Sequence, residues 1–188
     1  MLRKFDYNAP VTLSFALLSL LVLGLGVVSN GLTTQKLFCV YAASWTDPLT
    51  YVRLFGHVLG HADLSHYISN MMLFLLLGPI VEEFYGSGRL LGMIAITAVV
   101  TGLVDMFFFP HTALLGASGI VFMMIILASM VSYRRGTIPI TFIAVTVLYL
   151  GQEIYNAIFV TDNISQLTHI TGGALGLVYG MVLRRGRR

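Results

Sequence analysis

Four side chains that can do chemistry fall at matched depths in apolar stretches of this chain. Ser118 lies 16 residues before Arg134, and His169 lies 15 residues before Arg184. At the rise of an α-helix, both stand roughly 23 Å from the charges that close their segments. Asn70 precedes Glu82 by 12 residues, or about 18 Å, and His66 is one turn further along the same face. Polar groups inside apolar helices are costly and mark function by default. A serine with a histidine in reach is a nucleophile with its general base. A histidine and an asparagine one turn apart can aim donors at an oxyanion. Each residue also has a plainer use: a serine can bond a helix carbonyl or let helices close up, and His66 and Asn70 can cap a helix.

The glycines favour the chemical reading. Gly116 and Gly119 flank Ser118, which permits a tight turn, leaves the hydroxyl open and puts the serine N–H at the positive end of a helix. Position 120 is Ile, so the G-x-S-x-G elbow of the α/β-hydrolases is absent. His169, Gly172, Gly176 and Gly180 share one helical stripe, a surface for close packing against the helix of Ser118. Phe122, one turn below Ser118, is placed to support the imidazole ring or to serve as ordinary core.

The string His57, His61, His66 raises zinc as a possibility, but position 58 is Val where H-E-x-x-H needs glutamate, and Asp63 is the one nearby carboxylate. We therefore expect no metal and no cofactor. A single cysteine, Cys39, excludes an internal disulfide or a thiolate cluster.

The elements that must position these residues are set by composition. Of 188 residues 57% are hydrophobic and 10% charged, against roughly a quarter charged in a soluble domain. Counting stretches of about 20 apolar residues gives six predicted crossings, at 11–29, 66–84, 90–109, 114–132, 137–159 and 165–183. They leave no room for a separate soluble domain, so residues 1–188 read as one all-α polytopic membrane domain. The first apolar run exceeds the core of a secretory signal and reads as a retained helix. With both termini cytoplasmic, nine of the 11 Lys and Arg residues lie inside and only Lys36 and Arg53 outside. Those arginines account for the net charge of +3 without any nucleic-acid partner. The long connection at 30–65 carries Phe38, Val40, Tyr41, Trp45, Tyr51, Leu54 and Phe55, amphipathic material suited to the outer interface. Asp105 and Glu153 fall near the outer boundary and are expected to be solvated or paired carboxylates. A role for Glu153, Gln152 and Asn156 in a mobile fifth helix is left open.

Four motifs in order resemble the rhomboid intramembrane serine proteases: H-A-D-L-S-H-Y-I-S-N at 61–70, V-E-E-F-Y-G-S-G-R at 81–89, G-A-S-G at 116–119 and H-I-T-G-G-A-L-G at 169–176. The resemblance implies a rhomboid-like fold and a Ser-His dyad without aspartate, Ser118 attacking and His169 acting as base. It also implies an oxyanion site from His66, Asn70 and the Ser118 N–H, with Gly116 shaping the loop. Arg53 would belong to a structural element of the first loop, and Glu82 would tie the inner helix ends together. Position 122 is Phe where some relatives have Tyr, which keeps stacking but removes a hydroxyl. A six-helix core without further domains looks like the compact bacterial form, in the inner membrane, acting on single-pass transmembrane proteins. Two other readings compete: a catalytically inactive rhomboid-like protein that binds transmembrane helices, and a transporter relaying ions through His66, His169, Asp105 and Glu153. The second would need a polar path to both faces, whereas the polar groups here stop in the outer third.

Overall fold

The computed structural model describes residues 7–131, 140–145, 147, 148, 151 and 163–183, and every regular element among them is helical. Helix α1 spans Pro10–Val28, opened by a proline whose missing N–H costs nothing in the first turn. The short α2 spans Leu32–Leu37, and α3 spans Pro48–Gly56, capped by Asp47, whose carboxylate accepts from the Leu49 N–H at 3.0 Å. A 3₁₀ turn at His57–Leu59 leads to α4, Leu64–Tyr85, whose cap Asp63 accepts from the His66 N–H at 2.8 Å. Gly86, with φ of 89°, turns the chain into α5, Ser87–Phe108. Then come α6, Ser118–Met130, and α7, Asn163–Val182.

Helices α1, α4 and α5 are each long and apolar enough to cross a membrane. Their boundaries lie within three residues of the predicted segments. The fourth segment differs: residues 114–117 are not helical and α6 begins at Ser118, because Leu114 is spent in an isolated antiparallel bridge with Val40. The fifth predicted segment, with Glu153, Gln152 and Asn156, lies largely outside the described residues. On α1, Leu17, Leu18, Leu20, Leu21 and Leu25 all face outward and exposed, an arrangement suited to lipid and costly in water. The interior is methionine-rich, with Met93, Met123 and Met124 fully buried beside Phe74, Leu90, Ile120 and Leu127. Flexible thioethers fill the irregular gaps between crossing helices.

The connection at 30–63 is ordered structure rather than an open loop. Arg53, 5% exposed, donates from Nε to the Lys36 carbonyl at 3.0 Å and from its guanidinium to Asp47 at 3.1 Å, and it lies 4.6 Å over the Tyr41 ring. Cys39 is buried next to it, and burial, reinforced by nearby Asp105, pushes the thiol up to about 11. Asp105 corrects the expectation from sequence. It is not solvated: its residue is 1% exposed, and no ion pair involves it among the described residues.

Glu82 joins three elements. Its carboxylate accepts from the Val11 and Thr12 N–H groups, each at 2.9 Å, from the Thr12 hydroxyl at 2.8 Å and from the Ser87 hydroxyl at 2.7 Å. Two of these donors are the otherwise orphaned first-turn amides of α1. One turn earlier on α4, Gly78 lets α1 approach, for a Cβ there would meet the Thr12 hydroxyl at 2.7 Å. Glu82→Ala should cost about 3 kcal/mol, because buried donors lose a charged acceptor. In a thermal melt of the purified protein Glu82→Ala should unfold several degrees earlier, and Glu82→Gln, which keeps one acceptor oxygen, should fall between it and the wild type.

Candidate active site

Ser118 is the first residue of α6, following Ala117 at the N-cap. The loop before it is fixed on two sides. Val40 and Leu114 exchange backbone bonds of 2.9 and 2.8 Å, and the Gly116 N–H donates to the His57 carbonyl at 2.9 Å. Gly116 has φ of 122°, and a Cβ there would stand 2.8 Å from His66 Nε2. Glycine is therefore required twice, by backbone conformation and by space. His57 itself is fully enclosed, with Nδ1 3.2 Å from the Arg53 carbonyl; burial lowers its pKa to about 4. It is a neutral structural ring at physiological pH.

Asp63 starts α4 so that His66 and Asn70 fall on the face turned to this loop. His66 Nδ1 accepts a long bond of 3.5 Å from the Ala62 N–H. That leaves the ring hydrogen on Nε2, the nitrogen beside Gly116. Asn70, 6% exposed, uses its amide to donate to the His66 carbonyl at 2.9 Å, one of the two hydrogens that amide carries.

His169 comes from α7. Its ring stacks on Phe122 with centroids 4.2 Å apart and planes 6° from parallel. Phe122 lies one turn below Ser118, so the stack holds the imidazole against the face of α6 that carries the serine. Among the described helices α6 and α7 share the most extensive interface, and glycine makes it. A Cβ on Gly172 would strike the Gly119 carbonyl, and one on Gly176 would come within 2.5 Å of the Met123 carbonyl. Gly180 repeats the pattern against Met130 Sδ at 2.5 Å. From the other side, a Cβ on Gly119 would meet Thr101 and Thr168 at 3.2 Å.

These elements enclose a cavity of about 480 Å³, lined by Ala62, His66, Ser69, Asn70, Leu73, Ala113, Leu114, Leu115, Ser118, Val121, Phe122 and His169. Five of the six residues singled out from sequence line it, and the sixth, Gly116, packs on the ring of His66. His57 and His61 do not line it. His61 stands behind, its ring 5.1 Å from that of His66 and 5.5 Å from that of Tyr67. Among the described residues no group of three His, Cys, Asp or Glu side chains converges as a metal site would require. The sequence reading missed the apolar wall of Leu73, Ala113, Leu115 and Val121, and it missed His57 as the anchor of the serine loop. No local pattern marks them, because the bonds join residues 59 and 74 positions apart.

The architecture is that of an integral membrane protein of packed helices with a serine and a histidine in one cleft. Residues 48–186 match the family model of the Rhomboid domain, and the chain belongs to the rhomboid family. It is 28% identical over 182 residues to the rhomboid protease GluP of Bacillus subtilis, an alignment covering 92% of this chain and 34% of that protein. It is 30% identical over 141 residues to rhomboid-related protein 1 of Caenorhabditis elegans, covering 70% of this chain and 39% of the relative. The rhomboid protease GlpG of Haemophilus influenzae is 23% identical over 133 residues, 69% of this chain and 68% of GlpG. The chain thus spans well under half the length of the first two.

Gly172→Ala should lower stability by about 1–3 kcal/mol, because its methyl meets backbone that cannot move aside. Gly173→Ala is the control, since a Cβ there meets only Ile126 at 3.8 Å. Thermal melts should show the first variant unfolding early and the second close to wild type.

Proposed function

We propose that this protein is an intramembrane serine endopeptidase, with Ser118 as nucleophile and His169 as general base. The observation that carries this reading is the cavity that Ser118 and His169 line together with His66 and Asn70, the His169 ring stacked on Phe122 one turn from the serine. Membership of a family that includes named proteases supports it.

In this reading the chain crosses the membrane six times with both termini in the cytoplasm, the arrangement that puts nine of 11 basic side chains inside. The cleft then opens in the outer third of the bilayer, where water can reach it. A transmembrane substrate has its backbone carbonyls bonded within its own helix, so a stretch of it must unwind to enter. Gly or Pro near the cut would ease this. Ser118 Oγ attacks the exposed carbonyl as its proton passes to His169. The negative oxygen of the tetrahedral intermediate is met by the Ser118 N–H at the start of α6, His66 Nε2–H and the Asn70 amide. Collapse breaks the C–N bond, His169 returns the proton to the leaving amine, and a water activated by the same ring releases the acyl group. No metal or cofactor enters these steps. Single-pass membrane proteins are the substrate class, and the bacterial inner membrane is the proposed setting.

A fluorophosphonate probe should label the wild-type protein and leave Ser118→Ala unlabelled. Ser118→Ala and His169→Ala should each abolish cleavage of a reconstituted transmembrane substrate while melting near the wild-type temperature. Wild-type cleavage by either variant would overturn the dyad, and an unlabelled, inactive wild type would favour a helix-binding protein without catalysis.

Asn70→Ala should lower kcat by about 10- to 1000-fold with KM little changed, since its donor acts mainly in the transition state. A variant that melts early yet cleaves at the wild-type rate in its folded fraction would make Asn70 structural only.

A further inference from the structure

His61 does not line the cleft of Ser118, yet its ring is in contact with the histidine that does. It is 2% exposed and meets the ring of His66 edge to face, with centroids 5.1 Å apart and planes at 70°. It meets Tyr67 in the same way, at 5.5 Å and 81°. Tyr67 is fixed in turn, its hydroxyl donating to the Ala16 carbonyl of α1 at 3.1 Å. Edge to face is an arrangement that the charge distribution of aromatic rings favours, so rotating the His66 ring means giving that contact up.

His61 also shapes the turn that leads into α4. Its Nδ1 lies 3.2 Å from the Leu59 carbonyl, which can only accept, so Nδ1 carries the ring hydrogen. Burial first, and then His66 beside it, lower the pKa of His61 to about 4, so the ring brings no charge next to His66 at physiological pH. The following residue, Ala62, donates its N–H to His66 Nδ1 at 3.5 Å. The preceding one, Gly60, donates to the His57 carbonyl at 3.1 Å, the same oxygen that takes the Gly116 N–H at 2.9 Å. A Cβ on Gly60 would strike the Phe38 carbonyl, so the turn is confined on that side as well. One oxygen therefore joins the turn that holds His61 to the loop that leads to Ser118.

We propose that His61 is a positioning residue for the oxyanion site, holding the His66 ring and the Ala62 N–H together so that Nδ1 of His66 stays the acceptor and Nε2–H stays beside Gly116. The effect on rate rests on the peptidase reading above; the orientation of His66 does not, and can be measured without substrate. A residue that merely filled space could be replaced by any side chain of similar volume. A ring that restrains another ring could be replaced only by a ring.

The test compares His61→Leu, which fills the space without a ring, with His61→Phe, which restores one. In the full chain, the rate of labelling by a fluorophosphonate probe should fall by about 10- to 100-fold in His61→Leu, the scale of a misplaced catalytic group, and recover most of that loss in His61→Phe. With a transmembrane substrate the loss should appear in kcat and leave KM little changed. In nitrogen NMR of histidine-labelled protein, His66 should carry its hydrogen on Nε2 alone in the wild type and in His61→Phe, and show both nitrogens averaged between tautomers in His61→Leu. If the leucine variant does not fold, His61→Gln, which also lacks a ring, takes its place. Wild-type labelling by a folded ringless variant, or unchanged His66 resonances in it, would overturn the proposal. A wild type that the probe does not label would overturn the peptidase reading instead, and the His66 resonances would still decide what His61 does.

Discussion

The contact on which the site depends is one without side chains. At Gly119 and Gly172 the backbones of α6 and α7 approach until no Cβ fits between them, and Gly176 continues the approach one turn on. In a lipid environment there is no hydrophobic drive to bring two helices together, so close van der Waals packing must do it. Small residues give the largest contact for the least ordered side chain. Because the two helices touch directly, a ring on one can lie flat against a ring on the other. The stack of Phe122 on His169 is a consequence of that spacing.

A second constraint is that buried backbone amides need partners wherever helices begin and end. At one end of the molecule Glu82 supplies them, taking the first-turn amides of α1 and the hydroxyl that opens α5. At the other, the His57 carbonyl takes the Gly116 N–H before α6, and the Arg53 guanidinium satisfies the Lys36 carbonyl at the end of α2. These charged groups are interior and heavily bonded. Placed alone in the same surroundings they would destabilise the fold. Asp105, as deeply buried, has no ion-pair partner among the described residues and stands apart from them in this respect.

The serine loop is held from outside the membrane helices. Its bridge to Val40 and its bond to His57 tie residues 114–116 to the connection between α1 and α4. That connection is itself fixed by Arg53 and Tyr41. The position of Ser118 is thus set by a relay of backbone bonds, and the left-handed Gly116 lets the loop pass under the ring of His66. Rigid support of this kind is what a preorganised oxyanion site requires.

Much of this was legible in the amino-acid sequence because it is periodic or local. Apolar length marks α1, α4 and α5, and helical spacing puts His169 on the glycine stripe and His66 above Asn70. Gly116 and Gly119 announce a turn and a close approach around Ser118. Motif order names the family. The sequence alone could not place Leu114 outside a helix, since its apolar surroundings look helical until Val40 claims its backbone. Nor could it bury Asp105, because depth along a helix is a count of residues while burial depends on which neighbour covers that face. The burial of His61 behind the ring of His66 is likewise visible only in three dimensions. Burial is a property of everything surrounding a side chain, and those surroundings are assembled from chain segments that no local pattern connects.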